Sequence, residues 1–372
     1  MTTHRFMLPT VTETQAVTAH PSPEAWPSTQ QQRFEALQAR LSDALVADRA
    51  RVDGRSVVVV SSRVLDKWHE PRALTQALEE RLLGIVLGLR DLGLSVVYVT
   101  SMPIEEEVVG YYLAQLPAGL RWSARARLTL ISLDDDARRP LSEKLLERPD
   151  VIAQIRAAIP DRALCHLVPF ATTAFDRDLA LALGIPMYGA DPRHARLGTK
   201  SGCRELFARA DVEHPIGVEN LDGVNSAVAA IASLRARKPE LAELVIKLNE
   251  GVAGEGNGII DLRGLPPAGA DDERTRIAER LERAELEAGV PFQAYAAKLA
   301  ERGGIVEERI RGAEVRSPSV QMQITPEGDV ELLSTHDQLL GGPCGQSYRG
   351  CTFPADAAYA RDITAMAGAV GR

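Results

Sequence analysis

Apolar runs of strand length alternate with helical segments from Arg55 to Gly189, and this alternation restricts the fold more than any other feature. The runs RSVVVVSSR, SVVYVTS, RARLTLISL and ALCHLVPF are typical of buried parallel strands, and IPMYG predicts a short final strand. Segments with helical spacing of apolar residues separate these runs. The pattern predicts an α/β fold with an open, mostly parallel sheet and right-handed crossovers.

Polar residues follow several of the predicted strands. Ligands of open parallel sheets lie at the carboxyl ends of the strands. In this chain those ends carry Ser61-Ser62-Arg63, Thr100-Ser101 and Thr172-Thr173. These side chains are candidates for substrate contacts, and capping of the helices that follow is an equally good interpretation.

Composition excludes several classes of protein. The chain has 372 residues, 45% of them hydrophobic, which is enough for two or three packed units. A net charge of −8 argues against a nucleic-acid surface. No run of about 18 apolar residues is present, so we expect no membrane span.

The four cysteines are scattered, which favours a reducing cytoplasm over a disulfide framework. Cys344 and Cys351 are close enough in sequence to suggest a pair of metal ligands. No second pair accompanies them, so core or bystander thiols are the better interpretation.

The N-terminal part differs from the rest. Residues 1–30 are polar and rich in proline, which predicts disorder, and residues 31–49 predict one helix that packs on the next domain. Residues 189–217 form a junction in which Thr199 caps a helix. Lys200 then occupies the first turn, where the helix dipole disfavours a cation unless an anion is bound; a solvated lysine is the alternative.

The stretch LAELVIKLNEGVAGEGNGIIDL, residues 241–262, predicts strand, glycine-rich turn and strand, with Lys247 at the mouth of the turn. Glycines allow successive amides to point at one anion, so the stretch predicts a phosphate cradle. The lysine precedes the glycines and no helix follows them, which excludes a Walker loop and argues against a dinucleotide fingerprint. An ordinary hairpin remains an alternative. The cradle glycines are Gly251, Gly254, Gly256 and Gly258.

Residues 223–237 predict a helix, and two charged, exposed helices follow the hairpin. Their charge pairs indicate a solvated face and no site. IVEERI, EVRSPSVQMQI and DVELLSTHDQLL predict strands joined by short turns. GGPCGQSYRGCTFP predicts a loop, and a final helix begins in ADAAYARDITAMAGAVGR.

Three motifs in order resemble the ATP-grasp ligase superfamily: GTKSGCRELFARADVEHP, IKLNEGVAGEGNG and VEERIRGAE. The stretch STHDQLLGGPCGQSYRGCTFP is most similar to the branch of the pheganomycin-type peptide ligase. The resemblance covers about residues 55–372. It implies a tail and helix over 1–53, a pre-ATP-grasp Rossmann-like domain over 54–195, and an ATP-grasp α+β domain over 196–372. Within that last domain it implies a lid over about 211–303 and a C-terminal subdomain from 304.

The resemblance also implies roles for individual residues. Lys200 and Lys247 would bind ATP phosphates under the glycine loop. Glu307 would accept from the adenine amino group, the backbone of Glu308 and Ile310 would meet the adenine edge, and Glu314 would hold the ribose hydroxyls. A charged strand edge is the alternative for the three glutamates.

The implied reaction is phosphoryl transfer to a carboxylate, followed by attack of an amine on the acyl phosphate, with ATP and Mg²⁺ as cofactors. Arg316 and Arg349 are candidates for gripping the acyl phosphate or the substrate carboxylate, and His336-Asp337-Gln338 for lining the acceptor pocket. A structural role is nearly as good an interpretation of these residues. The implied partners are small carboxylate and amine or peptide substrates in the cytoplasm, and a homodimer is one candidate assembly.

One departure from the family pattern concerns the metal. ATP-grasp ligases carry a Glu-x-Asn element on late strands, and none follows Thr352. The sequence therefore predicts an incomplete ligase, with weak Mg²⁺ and nucleotide binding by this polypeptide alone. A non-catalytic nucleotide-binding module is the main competing hypothesis, and a dinucleotide-dependent oxidoreductase ranks last because no G-x-G-x-x-G follows the first strand.

Overall fold

The structure is a computed structural model that describes residues 28–61, 73–251, 254, 256–287 and 289–372. It confirms the predicted class: an open parallel sheet is followed by two antiparallel sheets with their helices. Over those ranges, no helix is long and apolar enough to cross a membrane. The predicted disorder of residues 1–30 lies almost wholly outside the described part.

Two helices, α1 (Ser28–Gln38) and α2 (Leu41–Arg49), occupy the place of the single predicted helix. The prediction of one continuous helix was wrong, because the chain turns at residues 39–40. The predicted packing on the following domain is confirmed, since the Phe34 ring is completely buried in the core of the first sheet. Gln38 adds two hydrogen bonds to the backbone of Met187.

The first sheet has four parallel strands in the order β3-β2-β1-β4. Every residue of β1 is buried, as expected for a strand with helices on both faces. The predicted strand IPMYG is reduced to one bridge between Leu167 and Met187. The elements are β1 (Arg55–Val60), α3 (Ala73–Leu82, continued by a 3₁₀ helix over Leu83–Arg90), β2 (Leu94–Thr100), α4 (Glu106–Leu113), α5 (Arg121–Ala126), β3 (Leu128–Ser132), α6 (Leu141–Leu146), α7 (Pro149–Ala158), β4 (Cys165–Pro169) and α8 (Ala174–Leu183).

The polar residues at the carboxyl ends of these strands bond to the protein itself. Thr173 forms a capping box with Asp176 at the start of α8, so capping is the interpretation that fits it. Ser101 donates from its amide and its hydroxyl to the buried Glu79 carboxylate, both at 2.8 Å. Ser61 lies 3.1 Å from the Tyr98 hydroxyl, while Ser62 and Arg63 lie outside the described residues.

The second sheet has five strands in the order β5-β9-β6-β7-β8, and its helices cover one face. Sequence reasoning missed β5 and the two-residue β8. The two helices predicted as exposed each bury an apolar stripe, including Ile277 and Tyr295. The elements are α9 (Lys200–Arg209), β5 (Gly217–Leu221), α10 (Val224–Arg237), β6 (Glu243–Leu248), β7 (Asn257–Asp261), α11 (Glu273–Glu282), β8 (Glu285–Leu286), α12 (Phe292–Arg302) and β9 (Gly304–Glu308).

The third sheet consists of β10 (Pro318–Ile324), β11 (Val330–Gly341) and β12 (Ser347–Thr352), all antiparallel, with α13 (Ala357–Gly371) packed on it. The predicted loop over residues 341–354 was wrong in part, because β12 occupies residues 347–352. Glycines at 341, 342, 345 and 350 hid the short strand, since glycine weakens any strand pattern. The predicted last helix is confirmed as α13.

Replacing Asp176 with asparagine should flatten the pH dependence of stability. Burial raises the pKa of the Asp176 carboxyl from 3.8 to about 6. The folded chain therefore keeps a proton that the unfolded chain releases. The stability that this group contributes is full below the unfolded pKa and is lost as the pH rises through the folded pKa.

Asparagine cannot ionise, so the free energy of unfolding of Asp176→Asn should rise by roughly 2.5 kcal/mol relative to that of the wild type between pH 4 and pH 7.5. Chemical denaturation of both proteins at both pH values measures this. If the free energies of unfolding of the two proteins differed by the same amount at both pH values, the prediction would be contradicted.

Candidate functional site

A cleft of about 540 Å³ lies between the second and third sheets. One wall comes from β6 and β9, and the other comes from β11 and the loop after it. Residues 309–317, here called the hinge, connect β9 to β10 and close one end. The lining residues are Pro215, Val245, Lys247, Glu307, Glu308, Arg309, Ile310, Val315, Arg316, Ser317, Gln338, Leu339, Leu340, Gly345 and Gln346.

Lys247 and Glu307 meet in this cleft. Val245 pairs with Glu307 in the ladder between β6 and β9, so Lys247, two residues further on, reaches Glu307 diagonally across one face. The Lys247 ammonium donates to Glu307 Oε1 at 2.5 Å. Arg204 donates to the other carboxylate oxygen at 2.6 Å and to Glu219 at 2.6 Å. The carboxylate of Glu307 is therefore shared by two cations and nearly buried.

Lys200 is the first residue of α9, and Thr199 caps that helix through the Gly202 amide, as predicted. Asn249, just after β6, accepts from the Ser201 amide and hydroxyl and fixes the start of the helix beside Lys247. Burial, and then the nearby charge of Lys247, lower the pKa of the Lys200 ammonium. An anion bound beside the two lysines would favour the charged ammonium and so offset both effects.

The glycine turn is a close contact between backbones. Gly254 has φ +91°, and a Cβ there would lie 2.2 Å from the Gln346 carbonyl oxygen. Gly251 and Gly256 face each other, where an added Cβ would lie about 3 Å from the opposite Cα. Gly258 lies on β7 against Leu286, so its predicted place in the turn was wrong. Residues 252, 253 and 255 lie outside the described part.

Of the remaining predicted nucleotide contacts, only some reach the cleft. Ile310 lines it with an exposed side chain, and Glu308 lines it while its carboxylate accepts from Lys238 at 2.7 Å. Glu314 lies outside the lining and pairs with Arg316.

The structure separates the two predicted arginines. Arg316 lines the cleft and also pairs with Asp356 at 3.4 Å. Arg349 lies on β12, exposed, against Gly341 and away from the cleft lining. Of the predicted acceptor residues, Gln338 lines the cleft, whereas His336 packs against the Phe353 ring and Asp337 accepts from Tyr359.

Sequence reasoning missed two supporting residues. Arg204 lies four residues after Lys200 on α9, and this spacing places both on one helix face, which was a usable signal. Glu287 fixes residues 342–346, here called the cleft loop, by accepting from the Cys344 amide at 2.9 Å and from the Ser347 hydroxyl. Nothing in the sequence links position 287 to that loop. Cys344 is buried with Val245 and Ile259, which fits the predicted core thiol.

The described residues do not form a protein-held metal site. Within the ranges that the structure covers, no group of three histidine, cysteine, aspartate or glutamate side chains is placed to bind a metal ion. The cleft carboxylates of Glu307 and Glu308 are engaged by cations. These residues therefore do not fit Mg²⁺ by themselves, and no step below depends on it.

Comparisons with known proteins agree with the motifs. Residues 287–372 match the family described as IQCH-like, ATP-grasp. The chain is 30% identical over 317 residues to an L-propargylglycine–L-glutamate ligase of Streptantibioticus cattleyicolor, covering 83% of this chain and 62% of that protein. It is 25% identical over 335 residues to IQ motif-containing protein H of Danio rerio, covering 77% and 31%. The chain thus spans less than two thirds of each relative.

Among solved structures, the ADP complex of an N5-carboxyaminoimidazole ribonucleotide synthetase matches with a TM-score of 0.48 and 8% identity, covering 86% of this chain and 63% of that one. At this level of similarity the likeness carries no information about substrate.

Replacing Glu287 with alanine should release the cleft loop and expose Cys344. The carboxylate accepts one hydrogen bond from the loop, at Cys344, and one from Ser347 at the start of β12. Burial raises the pKa of the Cys344 thiol to about 12, so the thiol is unreactive in the wild type. We expect Cys344 to be alkylated at least roughly tenfold faster in Glu287→Ala, as followed by peptide mass spectrometry.

Two other cysteines serve as internal controls. Cys165, buried in the first sheet, should stay protected, and exposed Cys351 should react equally in both proteins. Equal protection of Cys344 in the variant would show that Glu287 does not hold the loop.

Proposed function

We propose that this chain, a relative of the ATP-grasp proteins, acts as an ATP-dependent ligase that joins a carboxylate to an amine. The observation that carries the proposal is the shared cleft, in which Lys247, Glu307 and the hinge face one another, with Gly254 of the glycine turn packed against Gln346 of its lining. A cation and a carboxylate that lie side by side, next to exposed hinge backbone, suit the α-phosphate end of a triphosphate and an adenine.

ATP would lie along β6 and β9. Its phosphates would draw Lys247 away from Glu307 and lie near Lys200 at the start of α9, where the helix dipole also favours an anion. Glu307 Oε1, freed from Lys247, would then accept from the adenine amino group, while Arg204 would keep hold of Oε2. The backbone of Glu308 and Ile310 would meet the adenine edge, and Glu314 would reach the ribose by a rotation of its exposed side chain.

The chemistry requires positioning more than covalent participation. A substrate carboxylate oxygen attacks the γ-phosphorus, and the bond from that phosphorus to the bridging oxygen breaks, releasing ADP. The amine nitrogen then attacks the acyl carbon, and phosphate leaves as the amide forms. Arg316 lines the cleft at the point where its guanidinium could grip the carboxylate or the acyl phosphate. Arg349 would take part only if β12 moved.

The substrates we favour are amino acids, because the similar ligase is named for an amino acid joined to L-glutamate. Gln338, Ser317 and Gln346 supply neutral polar groups for such a molecule at the third-sheet wall. The proposal also includes the organisation into a Rossmann-like domain over 54–195 and an ATP-grasp domain over 196–372, Mg²⁺ bound through ATP phosphates, a cytoplasmic location and a homodimer as one assembly.

Replacing Lys247 with methionine should weaken ATP binding at least roughly tenfold, because the substitution removes the cation at the phosphate end and keeps the length of the side chain. Isothermal titration with ATP to millimolar concentration measures the change. Lys298→Met, on α12 and outside the cleft lining, is the matched control and should bind ATP as the wild type does. Equal affinity of Lys247→Met and the wild type would contradict the assigned phosphate site.

Catalysis needs a separate measurement. We expect the purified chain to release ADP only when one amino acid that supplies the carboxylate and a second that supplies the amine are both present. A coupled assay for ADP, run over pairs of amino acids, measures this. ATP binding without ADP release for any pair would instead favour the non-catalytic nucleotide-binding module.

A further inference from the structure

The hinge is not held by a strand of its own. β9 ends at Glu308 and β10 begins at Pro318, and residues 309–317 cross between the two sheets. Backbone bonds to neighbouring strands are made at the two ends of this segment, by the Arg309 amide and the Ser317 carbonyl. They nonetheless frame one end of the cleft through Arg309, Ile310 and Val315. Backbone that must meet a ligand edge requires some other restraint, because a shift of about 1 Å in a bound group can cost about 100-fold in rate.

Glu243, the first residue of β6, supplies such a restraint. Its carbonyl accepts from the Arg309 amide at 3.2 Å, and its carboxylate accepts from the Arg309 guanidinium at 2.8 Å. The Arg311 guanidinium donates to the same carboxylate. Both residues that flank Ile310 in the chain are thereby tied to one side chain.

Burial shows which partner sets the geometry. The Glu243 side chain is 6% exposed, whereas those of Arg309 and Arg311 are 34% and 50% exposed. Arg263 adds a third guanidinium at 3.3 Å. The carboxylate is the buried centre, and the arginines reach it from more exposed positions. A nearly buried anion among three cations is stable only while all of them stay close.

The position of Glu243 within its strand is equally informative. Lys247 lies four residues further along β6, at the other end of the cleft. One rigid strand therefore carries the cation that faces Glu307 and the carboxylate that holds the hinge. The distance between these two ends is fixed by a strand buried on both sides in the middle of the second sheet.

We propose that Glu243 is a positioning residue that holds the hinge in register for the adenine base, and this rests on the proposed function. Glu243 does not line the cleft and would not touch the nucleotide. It acts through Arg309 and Arg311, so its loss should affect recognition of the base and leave the phosphate end intact.

The test is the full chain carrying Glu243→Gln. Glutamine keeps the size of the side chain, but its amide carries no negative charge to attract the three guanidiniums. Two ligands are titrated, ATP and inorganic tripolyphosphate, and exchange of the amides of residues 309–313 is followed without nucleotide by hydrogen–deuterium exchange. Glu273→Gln is the matched control, because Glu273, on α11, is also nearly buried and paired with an arginine, Arg235 on α10, and both lie outside the cleft lining.

We expect Glu243→Gln to lose roughly tenfold in ATP affinity with tripolyphosphate affinity unchanged. Its hinge amides should exchange faster, while Glu273→Gln matches the wild type in all three measurements. Equal losses for ATP and tripolyphosphate, or unchanged hinge exchange, would overturn the proposal. If the wild type bound neither ligand, the proposed function would fail, and hinge exchange alone would decide whether Glu243 restrains the hinge.

Discussion

The carboxylate of Glu307 is the group on which the rest of this structure depends. It is nearly buried, and it is shared between Arg204 on α9 and Lys247 on β6. Removing one partner of such a pair leaves an uncompensated charge and typically costs about 3–5 kcal/mol. Arg204 also donates to the Pro215 carbonyl and to Glu219 on β5. The contacts of this carboxylate and of Arg204 therefore link α9, β5, β6 and β9, and they hold the cleft wall together without a ligand.

In the proposed complex with ATP, Lys247 would exchange Glu307 for a phosphate as its partner. A lysine that rests on a carboxylate is not lost to solvent, and a triphosphate offers it a stronger acceptor. Because Arg204 keeps one oxygen of Glu307 in place, the other oxygen can change its partner without a movement of the strand. Two further carboxylates, Glu243 at the hinge and Glu287 at the cleft loop, hold segments that have no strand pairing of their own. Around this cleft, segments outside the strands are held in place by acidic side chains that pair with cations or backbone amides.

Much of the fold was predictable from local pattern. Continuous apolar runs predicted the parallel strands of the first sheet, and Thr199 and Thr173 marked helix starts through capping chemistry. The failures have physical causes. β12 was missed because Gly350 and the glycines that precede the strand weaken the strand signal. The break in the helix over 31–49 was missed because nothing in the periodicity marks residues 39–40 as a turn.

The site was predictable where chemistry and spacing coincide. Lys247 and Glu307 lie in one cleft because the register of β6 and β9 places them diagonally, and the alternation along each strand puts both on one face. The roles of Glu243 and Glu287 were not predictable, because the hinge and cleft-loop groups that they hold lie 57 or more residues away in the chain and are brought close by packing alone. Arg349 shows the limit of motif reasoning: its predicted loop is a strand, and the strand carries it away from the cleft.

A structure of the full chain with a non-hydrolysable ATP analogue tests the central claim most directly. We expect the analogue between the second and third sheets, with the base against residues 308–310 and the phosphates within hydrogen-bond distance of Lys247. We also expect the Lys247 ammonium to have left Glu307, whose other oxygen stays bonded to Arg204. An analogue bound elsewhere, or a Lys247–Glu307 pair that stays intact beside a bound nucleotide, would contradict the account.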